Sequence, residues 1–172
     1  MCFVIMCGLP SSGKSVVADF LLRDQQQANL IRPSDWMPEN IDVLTPDAER
    51  DFRLECWKLA IEKTEEALTE ITPDDCLILD CGNSKFRTLS HVIAEAQRRG
   101  HIVLLVFVDC KLATCMARAP KISKSVFEKY VADLKDSLPK YKKACDRFHV
   151  VRNNGTLDQL SDGVREIRCQ NT

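Results

Sequence analysis

The chain has 172 residues, 45% of them hydrophobic and 28% charged, which is the size and composition of one globular domain. Its formal net charge of −1 supplies no global attraction to nucleic acid or to an anionic membrane, so any such contact must come from a local patch. No apolar run approaches the roughly 18 residues of a membrane span, and the first strand begins at residue 2 with no basic leader before it, so a cytoplasmic protein without membrane contact is expected.

Cys2–Cys7 is a short apolar run of the kind expected of a buried parallel strand. Gly8-Leu9-Pro10-Ser11-Ser12-Gly13-Lys14-Ser15 follows and matches the phosphate-binding pattern G-x-x-x-x-G-K-[ST] at every defined position. Val16, Val17, Ala18, Phe20, Leu21 and Leu22 then begin a helix. Strand, glycine-bounded loop and helix is the setting this motif needs. The glycines let the backbone curl until its N–H groups converge on an anion, and the helix N-terminus adds partial positive charge. In that arrangement Lys14 reaches the β- and γ-phosphates and the Ser15 hydroxyl holds Mg²⁺. The expected triphosphate site is therefore Gly8, Ser11, Ser12, Gly13, Lys14, Ser15 and Val16.

Asn29–Arg32 reads as a second strand stopped by Pro33, and residues 33–40 read as a loop. Thr45-Pro46 starts a helix whose apolar residues Leu54, Trp57, Ile61, Leu68 and Ile71 share one face, which assigns Trp57 to the core. Cys76–Asp80 is a third strand ending in an acid, residues 81–86 form a loop, and Leu89, Val92, Ile93 and Ala96 mark the next helix. Ile102–Val108 is the most apolar run and predicts a central strand, followed by a short helix over Lys111–Arg118. Ser123 caps a further helix that Pro139 is expected to end or kink. Phe148–Val151 is the last strand, and Asn153-Asn154-Gly155 turns the chain into a final helix carrying Leu157, Leu160, Val164 and Ile167. This alternation predicts an α/β fold of the P-loop NTPase type, a single domain over 1–172 built on a five-stranded parallel sheet with helices on both faces. The nine cysteines include no C-x-x-C and no usual zinc spacing, so reduced, structural thiols are expected.

A phosphate loop alone does not separate kinases from switches, motors or transport ATPases, so the other strand ends must decide. Ligands of a parallel sheet gather outside the carboxyl ends of its strands, and Asp35 and Asp80 both follow strands at that edge. Asp80, after Leu77-Ile78-Leu79, resembles a Walker-B acid that holds Mg²⁺ directly or through water; the alternative is an aspartate that caps the following loop. Asp35 stands where an acceptor hydroxyl would approach and is the candidate to take its proton; the alternative is an Asx-turn residue beside prolines. Arg118 opens a short basic stretch, 118–124, that suits a lid bringing positive charge onto the transferring group, or else it is a solvated helix end. Trp36 offers a surface on which a base stacks, or packing area, and Arg87 is a weaker candidate for the same cleft.

Taken together, GLPSSGKS, the Asp35 loop, Leu79-Asp80 followed by Asn83 and Arg87, and Asp109-Cys110 leading to Arg118 resemble the polynucleotide-kinase-like P-loop kinases. That family includes phage 5′-hydroxyl polynucleotide kinases and phage kinases of hydroxymethylated DNA bases, and Val108–Arg118 is also similar to the matching part of seryl-tRNA kinases. The resemblance implies ATP and Mg²⁺ at Lys14 and Ser15, Asp35 as base, Arg118 as lid arginine, and Asp80 and Asn83 near the acceptor or the metal. Trp36-Met37-Pro38 departs from the pattern, because the polynucleotide kinases carry a basic residue shortly after the acid. The reaction so implied is transfer of the γ-phosphate of ATP to a hydroxyl on nucleic acid, DNA being favoured, with acceptor contacts from Trp36, Asn83 and Arg87. A kinase of seryl-tRNA or of a small metabolite such as a nucleoside is the alternative within the class. A nucleotide-gated switch or non-catalytic module is the alternative outside it, although no N-K-x-D signature of a guanine switch is present.

Overall fold

Short β-rich apolar runs separated by amphipathic helices leave few ways to bury both faces of a sheet, and the computed structural model of the chain adopts the common one. It describes residues 2–25, 27–38, 45–72, 74–81 and 85–167. The strands are β1 (Cys2–Cys7), β2 (Ala28–Ile31), β3 (Cys76–Leu79), β4 (Ile102–Asp109) and β5 (Arg147–Arg152), all parallel in the order β2-β3-β1-β4-β5. The helices are α1 (Lys14–Asp24), α2 (Pro46–Glu70), α3 (Phe86–Arg98), α4 (Leu112–Arg118), α5 (Lys124–Ala144) and α6 (Leu157–Arg165).

Side-chain alternation splits the core in two. Phe3, Ile5 and Cys7 of β1 join Leu77, Leu79, Val103 and Leu105 beneath α2, α3 and α5, while Val4 and Met6 join Ile78, Leu104 and Val106 beneath α1 and α6. Every residue of β1 is buried, because β1 pairs on both sides and is covered on both faces. The direction of travel decides which face a helix covers. The crossovers through α2, α3 and α5 run toward β5, and the one through α1 runs toward β2 on the opposite face, as a single crossover hand requires. The chain therefore leaves β1 and β3 in opposite directions, and a crevice opens between their carboxyl ends.

The expected α/β fold with a five-stranded parallel sheet is the one observed, with strand ends shifted by a residue or two. Four local expectations change. Residues Pro33–Trp36 form a 3₁₀ turn rather than open loop, packed against α2. α5 runs through Pro139, which is exposed, so the carbonyl deprived of its partner lies on the water side of the helix. Leu54 is 53% exposed, and the buried stripe of α2 is Cys56, Ala60, Ile61, Thr64 and Leu68. Thr64 is accommodated there by donating its hydroxyl to the Ala60 carbonyl at 2.7 Å. Trp57 packs against the core as expected but is only half-buried, for a reason given below.

All eight described cysteines are buried thiols rather than disulfides. Burial pushes the Cys7 and Cys115 thiols up to about 11 and Cys145 up to about 12, so at neutral pH they are protonated and poor nucleophiles or ligands. Among the described residues no helix is long and apolar enough to cross a membrane. The uneven burial of α2 has a measurable consequence. Leu68→Ala should cost about 2–5 kcal/mol in urea unfolding, whereas Leu54→Ala, on the same helix, should stay within about 0.5 kcal/mol.

Candidate functional site

The phosphate loop is shaped by three backbone positions. Ser11 and Gly13 lie in the left-handed region at φ 56° and 95°, and Gly8 has φ 149°. A Cβ at Gly8 would sit 2.7 Å from the Val108 carbonyl and 2.9 Å from Ser12 Oγ, and one at Gly13 would run into the Asn153 side chain. Gly13 is the N-cap of α1 and offers no side-chain cap, so the first N–H groups of the helix are left for a ligand. Ser12 Oγ is fully buried and has no hydrogen-bond partner among the described residues. An orphaned hydroxyl, a backbone cradle that a Cβ would fill and an uncapped helix start fit the phosphates of a nucleotide.

Lys14 is 8% exposed, and its Nζ donates to the Gly8 and Leu9 carbonyls at 3.1 and 2.7 Å. Burial pushes its ammonium below the ordinary lysine range, and the charge of Asp80 partly offsets this. Anionic phosphate oxygens would relieve the same strain by supplying the countercharge that burial denies.

Two cavities meet at Lys14 and Ser15. The first, of about 520 Å³, is lined by Ser11, Gly13 and Val16 of the loop, by Arg118 at the end of α4, and by Asn153, Gly155, Leu157 and Leu160. The second, of about 380 Å³, lies on the other side and is lined by Arg32, Pro33, Ser34, Met37, Arg53, Trp57, Asp80, Cys81 and Tyr130. Both contain Lys14 and Ser15 in their walls.

Asp80 is 5% exposed, and Oδ2 accepts from Arg32 Nε at 2.9 Å. Arg32 also donates from Nη2 to Asp19 Oδ1 at 2.8 Å and to the Ser15 carbonyl at 3.4 Å. Among the described residues no group of three acidic, histidine or cysteine side chains could hold a metal ion. Ser15 and Asp80 share the second cavity, and the other carboxylate oxygen of Asp80 is not engaged by Arg32, so these two fit Mg²⁺ held largely by phosphate and water.

The expected triphosphate residues are thus brought together, with Arg118 beside them, although Gly8 and Ser12 are buried and line neither cavity. Arg118 also lies 3.8 Å from Cys110 Sγ, and the stretch after it is anchored: Ala119 and Ile122 pack on Leu9, Cys110, Cys115 and Phe127. Asp35 and Trp36 are exposed on the 3₁₀ turn and line neither cavity, while Ser34 and Met37 on either side of them do. Arg87 is exposed on α3 and lines neither. Asn83 lies outside the described residues.

Sequence reasoning missed four residues. Arg32 carried no motif. Arg53 sits on the solvated face of α2, ion-paired to Glu49 at 2.7 Å. Trp57 was assigned to the core, yet it bridges core and cavity, its Nε1 donating to the Cys81 carbonyl at 3.3 Å. Asn153 read as a turn residue; it is 7% exposed and its Nδ2 donates to the Ser12 carbonyl at 2.7 Å, clamping the loop from β5. An asparagine pair directly after the edge strand was the only available signal for it.

The sequence profile of the AAA domain matches residues 3–136. Among solved structures, the chain is similar to Kti12 from Chaetomium thermophilum in complex with ADP-AlF3, at 16% identity and TM-score 0.63 over 95% of this chain and 96% of that one. It is similar to a chain of the Pnkp1/Rnl/Hen1 RNA repair complex at 19% identity and TM-score 0.60, over 81% of this chain and 45% of that one. It is also similar to shikimate kinase from Acinetobacter baumannii in complex with shikimate, at 13% identity and TM-score 0.59 over 95% and 89% of the two chains. At such identities the likeness is one of fold. No curated protein sequence gave a significant match. A profile spanning most of the chain, the parallel sheet order and the phosphate cradle agree: the chain belongs to the AAA domain family and has the P-loop kinase fold, which implies nucleotide binding.

Proposed function

We propose that the chain is an ATP- and Mg²⁺-dependent phosphotransferase whose acceptor is a hydroxyl on nucleic acid. The observation that carries this reading is the pair of cavities sharing Lys14 and Ser15 as a common wall. A switch needs only a nucleotide site, whereas a transferase needs a second site facing the γ-phosphate. In this reading the base lies toward Asn153 and Gly155, against Leu157, an apolar side chain left 66% exposed beside the phosphate loop. The triphosphate follows the loop, and its end meets Lys14 and Ser15. Ser15 and Asp80 would hold Mg²⁺, which would supply charge neutralisation to the phosphates. Arg118 adds a cation from the nucleotide side.

The second cavity supports a ring-bearing acceptor. Met37, Trp57 and Tyr130 give it apolar and aromatic surface, and Arg53 adds positive charge. A volume of about 380 Å³ suits one nucleoside-sized group, so a strand end or an extruded base enters rather than a paired duplex. Of the two acids, Asp80 is buried and committed to Arg32. Asp35 is exposed between cavity-lining neighbours, and its carboxylate has no partner among the described residues, so Asp35 is the acid proposed to take the hydroxyl proton. The small volume and the net charge of −1 favour a second reading, phosphorylation of a free nucleoside or similar small metabolite.

Incubation with γ-labelled ATP and a panel of 5′-hydroxyl DNA and RNA, hydroxymethyl-pyrimidine DNA, tRNA and free nucleosides separates these readings. Label is expected on a nucleic acid; label on nucleosides alone would select the second, and slow ATP hydrolysis without transfer would return the switch. Lys14→Ala should abolish transfer, and unchanged turnover would remove the ATP-site assignment. Asp35→Asn should cut transfer by about 10² or more while ATP affinity, read by calorimetry, is kept. Asn153→Ala leaves the Ser12 carbonyl without its donor and should cost about 1–3 kcal/mol of stability, with weaker ATP binding measured in the same samples.

A further inference from the structure

Arg32 follows β2 directly, outside the phosphate-loop motif, and its guanidinium is held by three partners on two elements. Nε is bound by Asp80 at the end of β3, and Nη2 by Asp19 on α1 and, more weakly, by the Ser15 carbonyl at the start of α1. The side chain is 18% exposed, while Asp80 is 3% and Asp19 46% exposed. The third nitrogen, Nη1, has no hydrogen-bond partner among the described residues and is not buried. Arg32 forms part of the wall of the second cavity together with Lys14, Ser15 and Asp80.

Joining β2 to β3 would need only one of these carboxylates, and a partly buried ion pair adds little net stability for the desolvation it costs. What two carboxylates achieve is orientation. They remove the rotational freedom of a long side chain and leave one planar edge of its fork for a ligand. Arg118 approaches the same Lys14–Ser15 wall from the first cavity, so the two arginines line the two cavities that share it.

Resting on the phosphotransferase reading, we infer that Arg32 is a catalytic residue: from the acceptor side, its Nη1 N–H groups meet an equatorial oxygen of the transferring phosphoryl group. The acceptor oxygen bonds to the γ-phosphorus as the bond to the β–γ bridging oxygen breaks. The bridging oxygen keeps the electron pair and leaves with ADP, and the hydroxyl proton passes to Asp35. Arg32 neither gives nor takes a proton; it stabilises charge that is fully developed only in transit.

The test compares wild type with Arg32→Gln, Arg32→Lys and Asp19→Asn, measuring kcat, both KM values, and ADP affinity with and without aluminium fluoride and acceptor. Arg32→Gln should lower kcat by about 10²–10³, keep ADP affinity within about threefold, and lose the gain in ADP affinity that aluminium fluoride gives wild type. Arg32→Lys keeps the charge but cannot bridge two carboxylates and still present a fork, so it should recover less than about a tenth of the lost kcat. Asp19→Asn loosens one tie and should show a smaller kcat loss with unchanged ADP affinity. If Arg32→Gln fails to fold, Arg32→Lys and Asp19→Asn carry the same comparison. A kcat within about threefold of wild type in Arg32→Gln, or ADP affinity falling in parallel with kcat, would show a purely structural role and overturn the inference. If wild type labels no acceptor, the phosphotransferase reading fails separately; the aluminium fluoride gain, retained in Arg32→Gln, would then also overturn the role given to Arg32, and its loss would support it.

Discussion

The structure depends on one short stretch of backbone that can be neither moved nor filled. Gly8 lies against the Val108 carbonyl, and Gly13 against the Asn153 side chain, so two different strands set the walls of the turn between them. β1, which feeds the turn, is paired on both sides and buried on both faces. Asn153 closes the arrangement by donating to the Ser12 carbonyl from the far end of the chain. The result is a helix start without a side-chain cap and a buried serine hydroxyl that has no hydrogen-bond partner among the described residues. An anion completes what folding leaves open.

Sheet topology converts that anion site into a junction. Because β1 and β3 send the chain in opposite directions, the loop after β1 sits at the mouth of a crevice rather than beneath a helix. Lys14 and Ser15 therefore have a cavity on each side. Charge is arranged about this point with little surplus. Lys14 is buried and disfavoured as a cation, Asp80 offsets part of that, and Arg32 in turn neutralises Asp80 while being shared with Asp19. Such a cluster holds its geometry through mutual attraction in a poorly solvated place, and a charged ligand entering it meets groups that are already oriented.

The stretch after Arg118 is not a free flap. Leu9 of the phosphate loop packs in the same small cluster as Cys110, Cys115 and Phe127, with Ala119 and Ile122 against them. The base of the basic segment and the phosphate loop thus share one apolar contact set. A displacement at either is felt at the other, because close-packed side chains transmit strain instead of absorbing it.

How legible this was differed by feature. The backbone of the phosphate loop could be read directly, since glycine spacing encodes its local conformation, and the alternation of strands with helices gave the parallel sheet for the same local reason. The strand order, the second cavity and the clamp on Ser12 join residues as far apart as Ser12 and Asn153, or Arg32 and Asp80, and no local pattern announces such pairs. Trp57 shows the limit clearly: its helical spacing put it on the core face, correctly, but only the tertiary arrangement ends that core at Cys81 and turns the ring's remaining surface toward a cavity. The sequence by itself determined the curled loop and the helix that starts from it, because curvature and helix polarity are short-range properties. What faces that loop was decided by the folded sheet, because it depends on which strand ends the crossovers bring together.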